Sequence, residues 1–422
     1  MPPANGTALA WSYRFINSRM ANEASAALGG QWTNPSDILS ILLLLGPDTV
    51  QKAVAQLSGR AITPAAFSFG WVGYAVSALV GLFGTGFLMP ATDVPDITLV
   101  GTQSGHSRPT RSWVLGRLFR DAHIRATADT RVWGRAADKA DESWDALRVS
   151  VFKFDETPRT AHGVPKIDLV WCSGFAVIAL QTIVSILPWI LHGDWTPFLI
   201  ASTGNLLSLV GASMPQWCAE KWACPKNGGP TVTLTQGNGS RFAMVILGSK
   251  KAGLNLETLA TAVDTSHPSL LTRVTSGLLA LCWLALLVTV AGVEENTWYL
   301  LAIGLIGSIQ NLYAVGSTRS PGALGIQLEE VEVFRGRKVI EVLKSVEESY
   351  PLVGTSLVNL FFPGSLRVAE DKDFEFWQGA FLRRYAPNKH GRCVGVAPPE
   401  VGNHVSPDKL PENKPEPEPV KR

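Results

Sequence analysis

Charge is scarce in this sequence. Of its 422 residues, only 17% are Asp, Glu, Lys or Arg, against ~25% in ordinary soluble domains. That shortfall excludes a conventional soluble chain of this length. Histidine is scarce too: the seven present form no HxxH or HxxxH pair. Di-iron membrane oxygenases and desaturases need more, and a transmembrane haem protein needs His inside its helices, where only His192 comes near. HExxH, P-loop and GxSxG motifs are missing. No metal or cofactor is therefore expected. Asp93 and Asp96 form a carboxylate pair, but such a pair in a polar loop is usually just solvated. Asn34-Pro35-Ser36 is a single copy of a pore-like tripeptide without a matching second half. The formal net charge of +2 says little about partners, and no nucleic-acid partner is expected.

What is present instead is long uncharged runs. A helix crossing the hydrocarbon core needs ~20 mostly apolar residues. Five stretches approach this: 64–88, 169–191, 197–214, 274–293 and 298–315. Trp171, Trp189, Trp195 and Trp298 stand at their ends, where amphipathic rings favour the headgroup layer. The ILSILLLL run at 38–45 is stopped by Gly46, Pro47 and Asp48, so it is too short to cross. The following TVQKAVAQL reads as a short helix capped by Asp48 or Thr49. Residues 1–60 are thus expected to carry short interfacial helices, with a sixth span that would bury Lys52 as the costly alternative.

The loops suggest an orientation. The second and third runs are joined by His192-Gly193-Asp194, and the fourth and fifth by Glu294, Glu295, Asn296 and Thr297. Neither loop has Lys or Arg, whereas segments 90–168 and 216–273 hold 12 and 6. Positive charge stays on the cytoplasmic side, so the long segments are expected there and the short loops outside. The first run opposes this, with Lys52 and Arg60 before it and no Lys or Arg after it until Arg108. Two sequons bear on the same point. Asn5 is usable for N-glycosylation only with a lumenal N-terminus, and Asn238 only if its loop is lumenal. The membrane itself, endoplasmic reticulum or plasma membrane, is left open.

Ser173-Gly174, Trp195 and Gly204 recur as Ser276-Gly277, Trp298 and Gly307, each offset by 103 residues. The hairpins 169–214 and 274–315 are either a parallel duplication or a coincidence among small residues common in spans. The long segments look folded. Residues 147–154 alternate like a strand. Residues 231–235 and 242–247 flank Gly237-Asn238-Gly239, a hairpin turn. Residues 96–101 and 326–334 are further strands, and 337–350 is an amphipathic helix. The expected fold class is a mainly α membrane protein with about five transmembrane helices, one plus two hairpins. Under it sits a cytoplasmic α+β module built from 90–168, 215–273 and 318–395. The Pro-rich tail, 396–422, is expected to be disordered.

Inside the spans the polar residues are Gln181, Asn205, Gln310 and Asn311, which more often join helices than bind substrate. Cys218 is juxtamembrane and a candidate for palmitoylation, though an inert thiol is the commoner case. Its spacing from Cys224 fits no zinc pattern. Residues 108–135 hold seven Arg. They would either press a basic helix onto anionic lipid headgroups or be neutralised by Asp138, Asp141, Glu142 and Asp145.

Four blocks carry a resemblance: GPDTVQKAVAQLSGRAITPAAFSFGWVGYAVSAL (46–79), SWVLGRLFRD (112–121), LTQGNGSRFAMVILG (234–248) and SYPLVGTSLVNLFFPGSLR (349–367). Over about 37–377 the chain resembles a family of filamentous-fungal polytopic membrane proteins. The resemblance implies a fungal source and brings no activity or site residue.

Three functional classes follow. A non-enzymatic accessory or scaffold suits the uncharged spans and folded loops. A small-molecule channel would need Asn205, Gln310 and Asn311 along one continuous cavity. An enzyme acting on a lipid-soluble substrate would need Glu220, Arg241, His267 and Arg273 to converge at the cytoplasmic mouth.

Overall fold

The computed structural model describes residues 46–84, 86–136, 145–261, 268–293, 295–364, 366–368, 371–385 and 401–403. The run at 38–45, Asn5, Asn34, His267, Cys393 and the acids at 138–142 lie outside them.

Four stretches are long and apolar enough to cross a membrane: Leu169–His192, Thr196–Lys221, Leu270–Ala291 and Thr297–Gly316. The second is interrupted at Ser213-Met214, giving Thr196–Ala212 and the short Pro215–Lys221. In chain order the helices of this part are α1 (Pro47–Leu57), α2 (Gly70–Gly84), α4 (Leu169–His192), α5 (Thr196–Ala212), α6 (Pro215–Lys221), α8 (Leu270–Ala291) and α9 (Thr297–Gly316). Helices α3 (Trp113–Ala136) and α7 (Leu256–Thr261) belong to the connecting segments. Helix α1 forms where expected, but Gly46 is its N-cap without a side-chain bond, and Pro47 opens it. Asp48 instead pairs with Lys52 one turn on.

The expected span at 64–88 is not one helix. Helix forms only over the 15 residues of α2, and residues 63–68 carry neither helix nor strand. Thr63 N donates to Ser213, Ala65 O accepts from Ser208, and Phe67 N donates to Asn205. Four residues of chain therefore match eight residues of α5, roughly 12 Å at the helical rise. That is ~3 Å per residue, an extended chain.

This extended segment runs inside a ring of six helices, in which α1 packs on α2, α2 on α8, α8 on α5, α5 on α4, α4 on α9, and α9 on α1. Its ends both lie at one end of the ring. Arg60 Nε donates to Pro165 O just before α4, and Leu88 and Met89, past α2, donate to Glu220 at the end of α6. The chain enters, turns at Phe69-Gly70 and returns. Helix α1 is also partial: Thr49 and Val50, in its first turn, border a small cavity with Ser308 and Asn311, midway along α9.

The middle of the ring is filled by rings. Phe67 and Trp71 stack on Trp283 at 5.9 and 5.8 Å, and Phe67 meets Phe69 edge-on at 5.4 Å. Glycines let the segment pass. Gly174 faces Pro64 O, Gly204 faces the Phe67 ring, Gly304 faces the Phe69 ring, and Gly307 faces Phe67 O. The two hairpins are not equivalent. Helices α4 and α5 pack together, while α8 and α9 barely touch. Gly204 and Gly307 do both flank Phe67, but Gly174 is packed whereas its counterpart Gly277 has nothing within 4 Å. At the far end the short loops join through Asn296 Nδ2 and Asp194 Oδ2, 2.9 Å apart.

The long segments build one six-stranded sheet. Its strands are β1 (Thr98–Gly101), β2 (Ser107–Pro109), β3 (Leu147–Phe154), β4 (Val232–Thr235), β5 (Phe242–Leu247) and β6 (Leu328–Gly336), in the order β2-β1-β4-β5-β3-β6. Within this sheet only β3 and β5 pair in parallel. Both faces are covered, which explains the near-continuous apolar runs. In β5, Phe242, Met244 and Ile246 join the core shared with the helix ring, while Ala243 and Val245 turn to the opposite core. That second core is closed by α10 (Val339–Ser349), α11 (Val353–Phe361) and α12 (Asp371–Tyr385). Part of the tail expected to be disordered is ordered. Val401–Asn403 forms a strand (β8) paired in parallel with β7 (Leu366–Val368), which supplies the backbone partners a lone Pro-rich tail lacks.

Alanine at Gly174 or Gly307 would drive a methyl into a carbonyl oxygen of the inner segment. Overpacking of this kind costs ~1–3 kcal/mol. We expect Gly174→Ala and Gly307→Ala to lower the melting temperature in detergent, and Gly277→Ala and Gly316→Ala, which meet nothing within 4 Å, to leave it unchanged or raise it. Equal effects at all four sites would refute the inner-segment geometry.

Candidate functional site: the junction between helix ring and sheet

Helix ends leave carbonyls without partners, and two such ends, those of α1 and α9, meet the sheet-bearing half. Four cations satisfy them. At the end of α1, Lys221 Nζ donates to Gln56 O and Ser58 O at 3.3 and 2.9 Å, and Arg319 Nη1 also donates to Gln56 O. At the end of α9, Arg117 donates to Val315 O at 2.9 Å and Arg120 to Ser317 O at 3.2 Å. Cations at a helix C-terminus also suit its dipole.

Carboxylates hold these cations in place. Asp168 caps α4 by accepting from Trp171 N at 2.9 Å. The same carboxylate takes both arms of Arg319, at 2.7 and 2.8 Å. Asp121 accepts from Arg319 N and pairs with Arg120. Asp93 pairs with Arg117 at 3.0 Å, so it is not half of an Asp93–Asp96 metal pair. Burial pushes the Arg117 guanidinium below its ordinary range, Arg120 adds to that, and Asp93 and Asp121 oppose it. Among the described residues no cluster of three or more metal-ligating side chains exists.

Beside this network lies a cavity of about 360 Å³. Its apolar wall includes Phe87, Met89, Val114 and Leu259, and its polar wall includes Arg111, Ser112, Trp113, Glu220 and Lys221. Both oxygens of Glu220 are occupied. One accepts from Leu88 N and Met89 N, at 2.8 and 2.7 Å, and the other from Gln216 Nε2 at 2.8 Å.

The residues singled out from sequence fall as follows. Gln181 donates to Phe67 O and Ile303 O at 2.7 and 2.9 Å. Asn205 accepts from Phe67 N, Asn311 donates to Ser68 Oγ, and Gln310 pairs with Ser173. Gln181, Asn205 and Asn311 serve the inner segment, and Gln310 serves a helix contact. Asn311 borders a cavity of about 160 Å³ with Thr49, Ser68 and Ser308. Asn238 is exposed in the β4–β5 turn. Cys218 is half-buried on α6. Of the seven Arg in 108–135, Arg117 is fully buried and Arg120 bonds protein. Among the described residues their counter-charges are Asp93 and Asp121. Glu220, Arg241 and Arg273 do not converge. Glu220 lines the cavity, Arg241 precedes β5 in the sheet, and Arg273 lies over Phe83 at 5.9 Å.

Sequence reasoning missed Arg319 and Lys221. Arg319 stands three residues past α9 and Lys221 ends α6. Cations just beyond apolar helices read as ordinary interfacial charge, and only the fold reveals that both are buried.

The four apolar helices, long enough to span and paired by two short loops, have the make-up of a multi-pass α-helical membrane protein. Compared with protein-family models, curated proteins and solved structures, the chain finds no match.

Removing one partner from a buried pair strands the other charge, at ~3–5 kcal/mol. Arg319→Met should therefore lower thermal stability in detergent far more than Arg383→Met, since Arg383 is mostly exposed and only 4.0 Å from Glu347. Equal shifts in melting temperature would show that the Arg319–Asp168 pair does not organise the junction.

Proposed function

We propose that this chain is a non-conducting, non-enzymatic scaffold or accessory of a membrane. In this reading four helices cross the bilayer, the 58–88 stretch dips in and returns, and the sheet lies on the cytoplasmic side. The observation that carries it is the filled ring: Phe67, Trp71 and Trp283 are each 1% exposed, and the polar side chains beside them bond the inner backbone. The Lys and Arg content of the sheet-bearing segments supports the orientation. A re-entrant first run also removes the earlier conflict. Arg60 and the segment after Leu88 then share one side, so the flanks of that run carry no orientation signal.

The scaffold reading draws on the sheet's open edge. Strand β6 is long and largely exposed, with Glu329, Glu330 and Glu332 along it. Such charges deter unspecific edge pairing, so a partner strand added there would have to be basic. Anionic lipid headgroups remain a partner for the exposed part of 108–135.

Purified protein in liposomes should pass water, glycerol and K⁺ no faster than protein-free vesicles. Protein-dependent flux would favour the channel reading over this one. In a cysteine-free background, Ile62→Cys and Ala91→Cys should be labelled by an impermeant maleimide from the same side, and His192→Cys from the other. Labelling of the first two from opposite sides would restore a fifth crossing. A glycan on Asn238 would reverse the orientation.

A further inference from the structure

The cavity at the junction has more donors than acceptors. Lys221 is 1% exposed and makes no ion pair among the described residues. Two of its N–H donors go to the carbonyls at the end of α1, and Nζ lies over the Trp222 and Trp113 rings at 5.0 and 5.9 Å. Burial and the neighbouring Arg319 push its pKa well down, so a bound anion would favour its charged form. Trp113 is 2% exposed, and its indole N–H has no acceptor among the described residues. The Arg111 side chain is exposed and unpaired among the described residues. The one carboxylate in the wall, Glu220, is already occupied by Leu88, Met89 and Gln216. A wall of this kind is complementary to a ligand rich in anionic oxygens, and a guanidinium matches a phosphate in geometry as well as charge.

The other wall decides what such an anion is attached to. Phe87 and Met89 follow directly on α2, whose Val76, Val80 and Phe83 are exposed at 45%, 69% and 69%. An apolar tail leaving the cavity past Phe87 would meet an apolar helix face. The volume, about 360 Å³, is at the lower end for small-molecule sites; it suits a headgroup and the start of a chain and not a whole lipid.

We propose that this cavity binds the headgroup of an anionic amphiphile with a terminal phosphate, held by Arg111 and Lys221. The site rests on the membrane reading for the tail but is independent of whether the ring conducts, so the flux assay and the binding assay fail separately. It also concentrates lipid recognition at Arg111, not along the whole Arg-rich helix, because Arg117 and Arg120 are committed to α9.

The test is isothermal titration of the full chain in detergent with short-chain phosphatidic acid, phosphatidylcholine of equal chain length, and inorganic phosphate. Phosphatidic acid should bind saturably and at least tenfold more tightly than either of the others. Arg111→Gln, on an exposed side chain, should leave the melting temperature unchanged and weaken that binding tenfold or more. Arg111→Lys should retain part of it, and Lys221→Met should weaken it further where the protein still folds. Binding unchanged in Arg111→Gln, or equal binding of phosphatidylcholine, would overturn the proposal. Equal affinity for inorganic phosphate would overturn the amphiphile and leave a simple anion site.

Discussion

A backbone running extended through the middle of a helix ring must have its N–H and C=O groups satisfied by side chains, and most of this structure answers that requirement. An unpaired amide in an apolar interior costs ~2–7 kcal/mol, and irregular backbone at membrane depth is tolerated only where protein surrounds it. Here Ser213, Ser208, Asn205 and Gln181 bond residues 63, 65 and 67 in succession. Glycines on α4, α5 and α9 give the chain its room. Phe67 then stacks on Trp283 and closes the centre. Remove the extended chain and the Asn, Gln and Ser side chains lose these buried partners. The ring and its contents therefore stand or fall together.

The same logic of unpaired backbone explains the junction. Helices α1 and α9 end facing the sheet, where their last carbonyls would be starved of donors. Lys221, Arg319, Arg117 and Arg120 supply donors, and Asp168, Asp121 and Asp93 compensate their charge. Asp168 has two duties, capping α4 and gripping Arg319. One carboxylate thus ties the start of α4 to the end of α1, by way of the segment that follows α9. The network leaves the Arg111 side chain and the Trp113 indole N–H without acceptors among the described residues, with Lys221 beside them.

Much of the fold was legible. The runs at 169–191, 197–214, 274–293 and 298–315 all became helices, because an uncharged run of that length has few other stable forms in lipid. Strands 147–154 and 242–247 were readable at their observed bounds, since β-branched and aromatic residues of that density suit a covered sheet. The 64–88 run misled. Its composition is that of a span, but Pro64 and the bonds to α5 hold residues 63–68 extended, and hydropathy is blind to hydrogen-bond partners distant in sequence. The polar residues of the apolar runs were legible as residues, but their partners were not. Gln181, Asn205 and Asn311 are buried on the apolar helices, and each bonds the inner segment. The cavity was barely visible, since Glu220 was noticed while Lys221 and Arg111 were not tied to it.

By itself the sequence determined the class of environment and the local elements. Charge spacing and apolar run length are properties of a stretch of chain, and they act through solvation, which needs no knowledge of neighbours. Only the tertiary structure decided which polar groups are satisfied and which remain open. That depends on pairings across long separations: Phe67 with Asn205 and Gln181, Arg319 with Asp168, Lys221 with Gln56. A buried polar atom acquires its meaning from its partner, and partners brought together across a hundred or more residues are set by the packing of the whole chain.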